Sequence, residues 1–276
     1  MVPGSPVFER VTSDGIVVHT DPGLRARSGI IVAFSERAGG QSEAPYDSLN
    51  LAAHVLDDPV DVDANRAALL RALGIGHLSG ALVTAQQTHG QGIALLGRSD
   101  EGRGALSSAG LPPVPATDVL LTRERELPLL LLYADCVPVV LVVEHPEPAI
   151  AVVHAGWRGA LTSLPATSVH AICMQSGCDP AAVRVYIGPH IGSCCYQVDD
   201  DLLSQFTGEF GTIAAVGGHL DLGAVVLSSL MSAGVRPEHV ASVSECTMDH
   251  VDRFFSYRAS GATGRHGAVA VITKVG

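Results

Sequence analysis

The chain has 276 residues, with 17 Lys and Arg against 28 Asp and Glu, for a formal net charge of −11. An acidic chain without a basic stripe excludes general nucleic-acid binding, which needs clustered cations, but leaves room for a small pocket that takes one anion. At 47% hydrophobic residues it can pack a core, which excludes intrinsic disorder, and the length suits one domain spanning 1–276.

The segment Met1 to Glu9 has neither a basic n-region nor an apolar h-region, so no signal peptide is expected and the cytoplasm is the expected compartment. The six cysteines are then expected as thiols. Gly29–Phe34 (GIIVAF) is short and β-branched, and predicts a strand. A long polar loop, Ser35 to His54, follows it, and long ordered loops often carry function. Asp58 and Pro59 open a helix that Gly74 closes. Ala81–Ala85 and Gly92–Leu96 predict strands around the turn Gln86-Gln87-Thr88-His89-Gly90, and Gly97–Ala116 predicts a surface loop or insertion.

The most apolar stretch, Leu127–Val143, holds Asp135 and Pro138 near its middle. A membrane helix would bury that carboxylate, so two strands joined by a polar turn are expected instead and no membrane partner is. Further strands are expected at Leu129–Tyr133, Val137–Val143, Ala149–Val153, Val183–Ile187 and Ala268–Ile272. Helices are expected around Ser163–Ser176, Asp199–Phe206 and Leu222–Ala233. Without a strict βαβ rhythm, the fold class is α+β with a mixed sheet, and no GxGxxG or P-loop motif supports a nucleotide fold.

Three segments share one design, an apolar strand running into a polar turn that holds a soft donor: His89 after Val83, Cys136 after Leu129, and His154 at the end of Ile150–Val153. Two imidazoles and a thiolate suit zinc and leave a fourth position open, as catalytic sites do. Spacing alone leaves this set undecided, because a lone His after a strand is ordinarily a loop residue and a lone Cys a small hydrophobe. His170, Cys173 and Met174 share a helix at i, i+3, i+4 and read as core or helix surface; Cys194-Cys195 reads as a tight turn and Cys246 as buried. Arg37, Arg158, Arg258 and Arg265 have glycines nearby, which lets backbone approach a ligand while the guanidinium offers a fork matched to phosphate.

In order along the chain, FSERAGG, YDSLNLAAHV, QQTHG, YADCVPVVL, VHAGWRGA, IGPHIGSCCYQV and FFSYRASGATGR resemble the YfiH-like family. Its members are called laccase-domain proteins, polyphenol oxidases or zinc-dependent purine nucleoside phosphorylases. The resemblance runs from about Gly29 to the C-terminus, with VHAGWRG and ADCxPV the most specific motifs. It implies a mixed β-sandwich core with flanking helices. It implies that His89, Cys136 and His154 are the catalytic metal ligands, for zinc with copper as the alternative. It implies phosphorolysis of adenosine, inosine, guanosine and 5′-methylthioadenosine, with adenosine deamination beside it. His190 departs from the small residue or Cys expected in the GPxIG turn.

For that activity Arg37 and Arg258 are expected to hold phosphate, and Ser48 and Asn50 to hydrogen-bond the nucleoside, with His54 a further pocket candidate. Asp135 is expected either as acid/base or as a hydrogen-bond partner of a ligand His. The expected partners are purine nucleosides and phosphate, and the chain is expected as a monomer or weak homodimer. A multicopper laccase is one rival, but none of the 12 His stands two residues from another, and H-x-H pairs build such clusters. A cysteine hydrolase editing peptidoglycan precursors, with Cys136 as nucleophile, is the second rival, and a non-enzymatic metal-binding protein the third.

Overall fold

Runs such as VPVVLVV and AIAVVHA are apolar at almost every position, so each strand needs cover on both faces. The computed structural model describes residues 5–274 and supplies that cover with four layers. The first four residues, where the N-terminal segment was read as lacking a leader, lie outside the described part. The strands are β1 (Glu9–Ser13), β2 (Ile16–Thr20), β3 (Ile30–Ser35), β4 (Val83–Thr84), β5 (Ile93–Leu96), β6 (Val119–Thr122), β7 (Leu129–Tyr133), β8 (Val137–Val143), β9 (Ala149–Ala155), β10 (Arg184–Ile187), β11 (Ala215–Val216), β12 (His219–Leu220), β13 (Val240–Ser242) and β14 (His266–Ile272). The helices are α1 (Pro22–Ser28), α2 (Pro59–Ala72), α3 (Trp157–Leu161), α4 (Leu164–Ser176), α5 (Asp200–Phe210), α6 (Leu222–Ser232) and α7 (Tyr257–Ser260).

One mixed sheet has the order β1-β2-β3-β14-β7-β4 and the other β13-β10-β8-β9-β6-β5. Alternation along each strand divides the core. On β8, Val137, Val139, Leu141 and Val143 face α4 and α6, whereas Val140 and Val142 face the other sheet. Ile150 and Val152 of β9 meet Leu129, Leu131, Ala268 and Ala270 of the first sheet between the layers. The outer face of the first sheet is covered by Leu69, Leu70 and Leu73 at the end of α2 and by Leu49 and Leu51 of the long loop. The fold is therefore an α+β sandwich with flanking helices, as expected.

Helix punctuation follows the sequence closely. Asp58 caps α2 by accepting from the Val60 amide, Asp199 caps α5 and Asp221 caps α6. The apolar stretch at 127–143 becomes β7 and β8, and these lie in different sheets. The polar turn Ala134-Asp135-Cys136 is thus a crossing from one sheet to the other at the end of the sandwich. No helix among the described residues is long and apolar enough to cross a membrane.

Some elements differ from expectation. The strand at 81–85 shrinks to two residues because Gly76–Ala81 forms a 3₁₀ turn. The hairpin β1–β2 was not anticipated, although Asp14-Gly15 between β-branched runs is its sequence signature and both turn residues have positive φ. The segment Gly97–Ala116 is more than a surface loop. Ala105 and Val114 are buried, and the guanidinium of Arg66, itself buried on α2, donates to the carbonyls of Leu51 and Gly104.

Candidate functional site

The odd-even register of β9 places His154 on the same face as Ile150 and Val152, between the sheets, where it is 3% exposed. Cys136 packs against the same inter-sheet core from the crossing turn. His89 arrives from the turn after β4, with positive φ (57°), and is more exposed than His154. One donor atom from each of the three falls within 4.8 Å of the others, and the two imidazole rings stand edge to face with centroids 4.7 Å apart. Three predicted residues from distant sequence segments converge at one end of the sandwich.

Gly156, the glycine of VHAGWRG, keeps the space open. A Cβ there would stand 2.8 Å from His89 Cδ2 and 3.3 Å from Cys136 Sγ. The donor set fits zinc: two nitrogens and one sulfur on rigid strand ends, with one coordination position left over.

The organising residue is Asp118, which the sequence reading did not single out. It is fully buried at the start of β6. Its Oδ1 accepts from His154 Nδ1 at 2.8 Å and from the His89 amide at 3.0 Å. Its Oδ2 accepts from the amides of Gly90 (2.8 Å) and Thr88 (3.2 Å). One carboxylate thus folds the QTHG turn around itself and fixes the His154 ring, leaving Nε2 for Cys136 or a metal. Burial by itself would raise its pKa, but the bonds from His154 and Gly90 win and bring it down to about 2. The available signal was a carboxylate immediately ahead of a buried strand, in TDVLLT.

The same bonding makes an ion pair of the site. Burial opposes charge on both Cys136 and His154. Their mutual attraction overcomes it, with help from Asp118 on the imidazole and His89 on the thiol. The thiol falls to about 6 and the imidazolium rises to about 9. The Asp135 carboxylate hydrogen-bonds neither imidazole. Held at φ 88°, it accepts from Thr247 Oγ1 and from the Arg258 amide, both at 2.7 Å. It braces the turn beside Cys136 from behind, so its expected role as a partner of a ligand His belongs to Asp118 instead.

A cavity of about 490 Å³, lined by Trp157, Tyr196, Gln197, Val198, Asp199, Leu202 and Arg258, flanks this end of the sandwich. Trp157 follows His154 by three residues, and Arg258 is tied through Asp135 to the Cys136 turn. The Arg258 guanidinium lies over the Tyr196 ring and donates to the Gln197 carbonyl, while exposed Arg158 stacks on Trp157 at 4.3 Å. The long loop contributes differently from expectation. Arg37 spends its guanidinium on the carbonyls of Asp47 and Val251 and lies over Phe255. Ser48 accepts from the Gly40 amide. Asn50, 0% exposed, accepts from the amides of Ala52 and Arg265 and donates to Ala52 and Asp57. These three hold the loop and the segment leading to Arg258 in shape.

The remaining candidates scatter. His170 and Met174 are exposed, and Cys173 lies 3.0 Å from Cys178, so the helix triplet gathers no donor set. The His190 ring bonds the Gly188 carbonyl and packs on Gly223, where a Cβ would come within 2.5 Å of it. His54 has its pKa lowered, first by burial and then by Arg265. Cys194-Cys195 does form a tight turn, closed by amide bonds to the Gly192 carbonyl, but it also meets Cys246 and Asp249.

Residues 31–273 match the family described as multi-copper polyphenol oxidoreductase laccase. A protein of Geobacillus stearothermophilus named purine nucleoside phosphorylase YlmD is 33% identical over 247 residues, covering 86% of this chain and 88% of its own. A protein of Corynebacterium glutamicum that is also named purine nucleoside phosphorylase is 34% identical over 245 residues, covering 87% and 94%. The crystal structure of the Bacillus licheniformis hypothetical protein YfiH superposes with a TM-score of 0.87 at 30% identity, over 96% of this chain and 99% of that one.

Proposed function

The chain belongs to the family described as multi-copper polyphenol oxidoreductase laccase, and from that membership and its site we propose that it is a zinc-dependent purine nucleoside phosphorylase. The observation that carries the reading is the convergence of His89, Cys136 and His154 within 4.8 Å on a buried carboxylate, beside a cavity of nucleoside size. Relatives named purine nucleoside phosphorylase support the substrate class.

Zinc held by these three residues would supply Lewis-acid stabilisation of charge on the substrate. The chain's own groups bind and orient. Trp157, half-buried at the cavity wall, supplies aromatic surface for a purine, a contact worth roughly 1–3 kcal/mol per base, while buried Tyr196 backs the Arg258 guanidinium. Arg258 and Arg158, each stacked on one of those rings, place guanidinium forks where a phosphate can lie against the ribose. Asp118 holds the His154 tautomer, and Asp135 locks the Arg258 backbone to the Cys136 turn. The same zinc, held by His89, Cys136 and His154, would supply the Lewis acidity for deamination of adenosine. Copper at the same ligands, which binds nitrogen and sulfur donors more tightly than zinc, would give weak phenol oxidation as a side reaction.

The test is incubation of the zinc-loaded protein with adenosine, with and without phosphate. Adenine and ribose-1-phosphate appearing only with phosphate are expected, and inosine would mark the deamination. Cys136→Ala should abolish both. Absence of turnover with every purine nucleoside, in zinc and phosphate, overturns the proposal.

A second reading rests on one observation: the low Cys136 thiol paired with His154, itself paired with Asp118, is the arrangement of a cysteine nucleophile. Iodoacetamide separates the two. Zinc should shield Cys136 from alkylation if it is a ligand, whereas a nucleophile is alkylated equally with and without zinc.

A further inference from the structure

A second group of soft donors lies outside the site just described. Cys194 and Cys195 sit in the turn after β10, and Cys246 and Asp249 in the turn after β13. Because β10 and β13 run parallel and adjacent, with Val185 opposite Val240, both turns emerge at the same edge, and His190 bridges to Cys246 beyond them. Cys194 Sγ lies 3.0 Å from Asp249 Oδ2 and Cys195 Sγ 3.1 Å from Asp249 Oδ1. The Gly192 amide donates to Cys246 Sγ at 3.3 Å. All four donor atoms fall within 4.8 Å of one another.

We propose that Cys194, Cys195, Cys246 and Asp249 form a second metal site, closed and structural, for a soft divalent cation of the zinc class. The donor set argues for the class of ion. Three sulfurs and one carboxylate oxygen suit zinc and its soft congeners, and oxygen-seeking calcium or magnesium would leave three thiols unused. Four protein donors fill a tetrahedron, which sets this site apart from the three-donor centre.

The backbone is shaped for the sulfurs. A Cβ on Gly192 would press on Cys194 Sγ at 3.1 Å and come 3.4 Å from Cys246 Cβ, so glycine makes room for the cluster. Cys194 and Cys195 now donate their S–H groups to Asp249. On binding, those thiols and that of Cys246 would give up their protons to solvent as the sulfurs bond the cation, with no change of oxidation state.

The consequence is local order in the cavity wall. Tyr196 and Gln197 directly follow the cysteine pair, and Thr247 follows Cys246 and bonds Asp135. A cation here would clamp the Tyr196 wall to the segment that leads to Arg258.

Cobalt(II) titration of reduced protein tests this, read by thiolate charge-transfer absorption and by bound metal. Cys136→Ala should still bind one equivalent, and adding Cys246→Ser should remove it. His89→Ala in place of Cys136→Ala repeats the measurement with a milder change, and circular dichroism checks folding. If the three-donor centre takes no metal, wild type should still bind one equivalent that Cys136→Ala does not affect, so failure of either site is seen separately. The second site is overturned if Cys136→Ala and His89→Ala, both folded, bind no cobalt, if Cys246→Ser changes nothing, or if peptide mapping after exposure to dissolved oxygen shows a Cys195–Cys246 disulfide formed in place of binding.

Discussion

The two soft-donor clusters are built on different supports. His154 is the penultimate residue of a strand buried on both faces, and Cys136 sits in a turn braced by Asp135; one buried carboxylate, Asp118, orders His154 and the turn of His89. Cys194, Cys195, Cys246 and Asp249 sit on two turns, with Cys194 and Asp249 exposed, and their carboxylate is itself a donor. A rigid site with three donors can keep an open position without collapsing, because its scaffold is held by the core. A site on turns needs its fourth donor to be ordered at all. Electrostatics diverge in the same way. Burial acts against charge on both Cys136 and Cys195, but His154 pulls the first thiol down to about 6 while Asp249 joins burial in pushing the second up to about 11.

That contrast can be broken most forcefully at Asp118. Asp118→Ala should strip partners from the buried His154 ring and from the partly buried amide bonds of His89 and Gly90. At about 1–3 kcal/mol for a buried group left unpaired, and less for the partly buried ones, the loss should be on the order of 3 kcal/mol in urea unfolding. Metal affinity of the three-donor centre should fall about 10–100-fold, and that of the cysteine cluster should not move. An unchanged midpoint would show that Asp118 is not the support. The acid limb gives the sign. The carboxyl is held near 2 when folded, below its ordinary value of 3.8, so its contribution is full above about 4 and disappears as pH falls through about 2. Acid unfolding of Asp118→Asn should lack that component.

Gly156→Ala comes next. Its methyl would meet His89 and Cys136, so the three-donor centre should lose metal and turnover at a stability cost of about 1–3 kcal/mol. Equal metal loss at both clusters would point to general misfolding instead. The thiols can be compared directly by alkylation of metal-free protein and peptide mapping. Cys136 should react as a thiolate at neutral pH and slow as pH falls through about 6, while Cys195 should stay slow until alkaline pH. The smallest effect is expected for Asp249→Asn. On an exposed turn it should leave the unfolding midpoint where it is, while weakening cobalt binding at the second cluster only.

Much of this was legible along the chain. Asp58-Pro59 and Asp199 announced helix starts because a cap acts within a few residues of itself. QQTHG, YADCVPVVL and VHAGWRG each read as a strand running into a polar turn with a soft donor, a pattern that left the set undecided until the family resemblance singled out His89, Cys136 and His154. Asp118 escaped notice because its partners are 28 to 36 residues away, and nothing local in TDVLLT shows that its carboxylate turns back on His89 and His154. Asn50 and Arg37 looked like ligand-binding residues from a polar loop, yet their hydrogen-bonding capacity is taken up inside the fold. Cys194-Cys195 read as a turn and is one; its meeting with Cys246 depends on the parallel pairing of β10 and β13.

The sequence by itself determined the fold class and the starts of the longer helices, and its motifs, through the family resemblance, named the three residues that converge, whereas α1, α3 and α7 were not foreseen. Periodicity, capping and motif order are short-range properties written in neighbouring residues. Tertiary structure alone decided which carboxylate supports those donors, which arginines remain beside the cavity, and that a second set of thiols assembles. Each of these depends on a pairing between residues far apart in the chain. Such pairings follow from how two sheets stack and how one turn crosses between them, and burial then fixes whether a polar group is a support or a binding group.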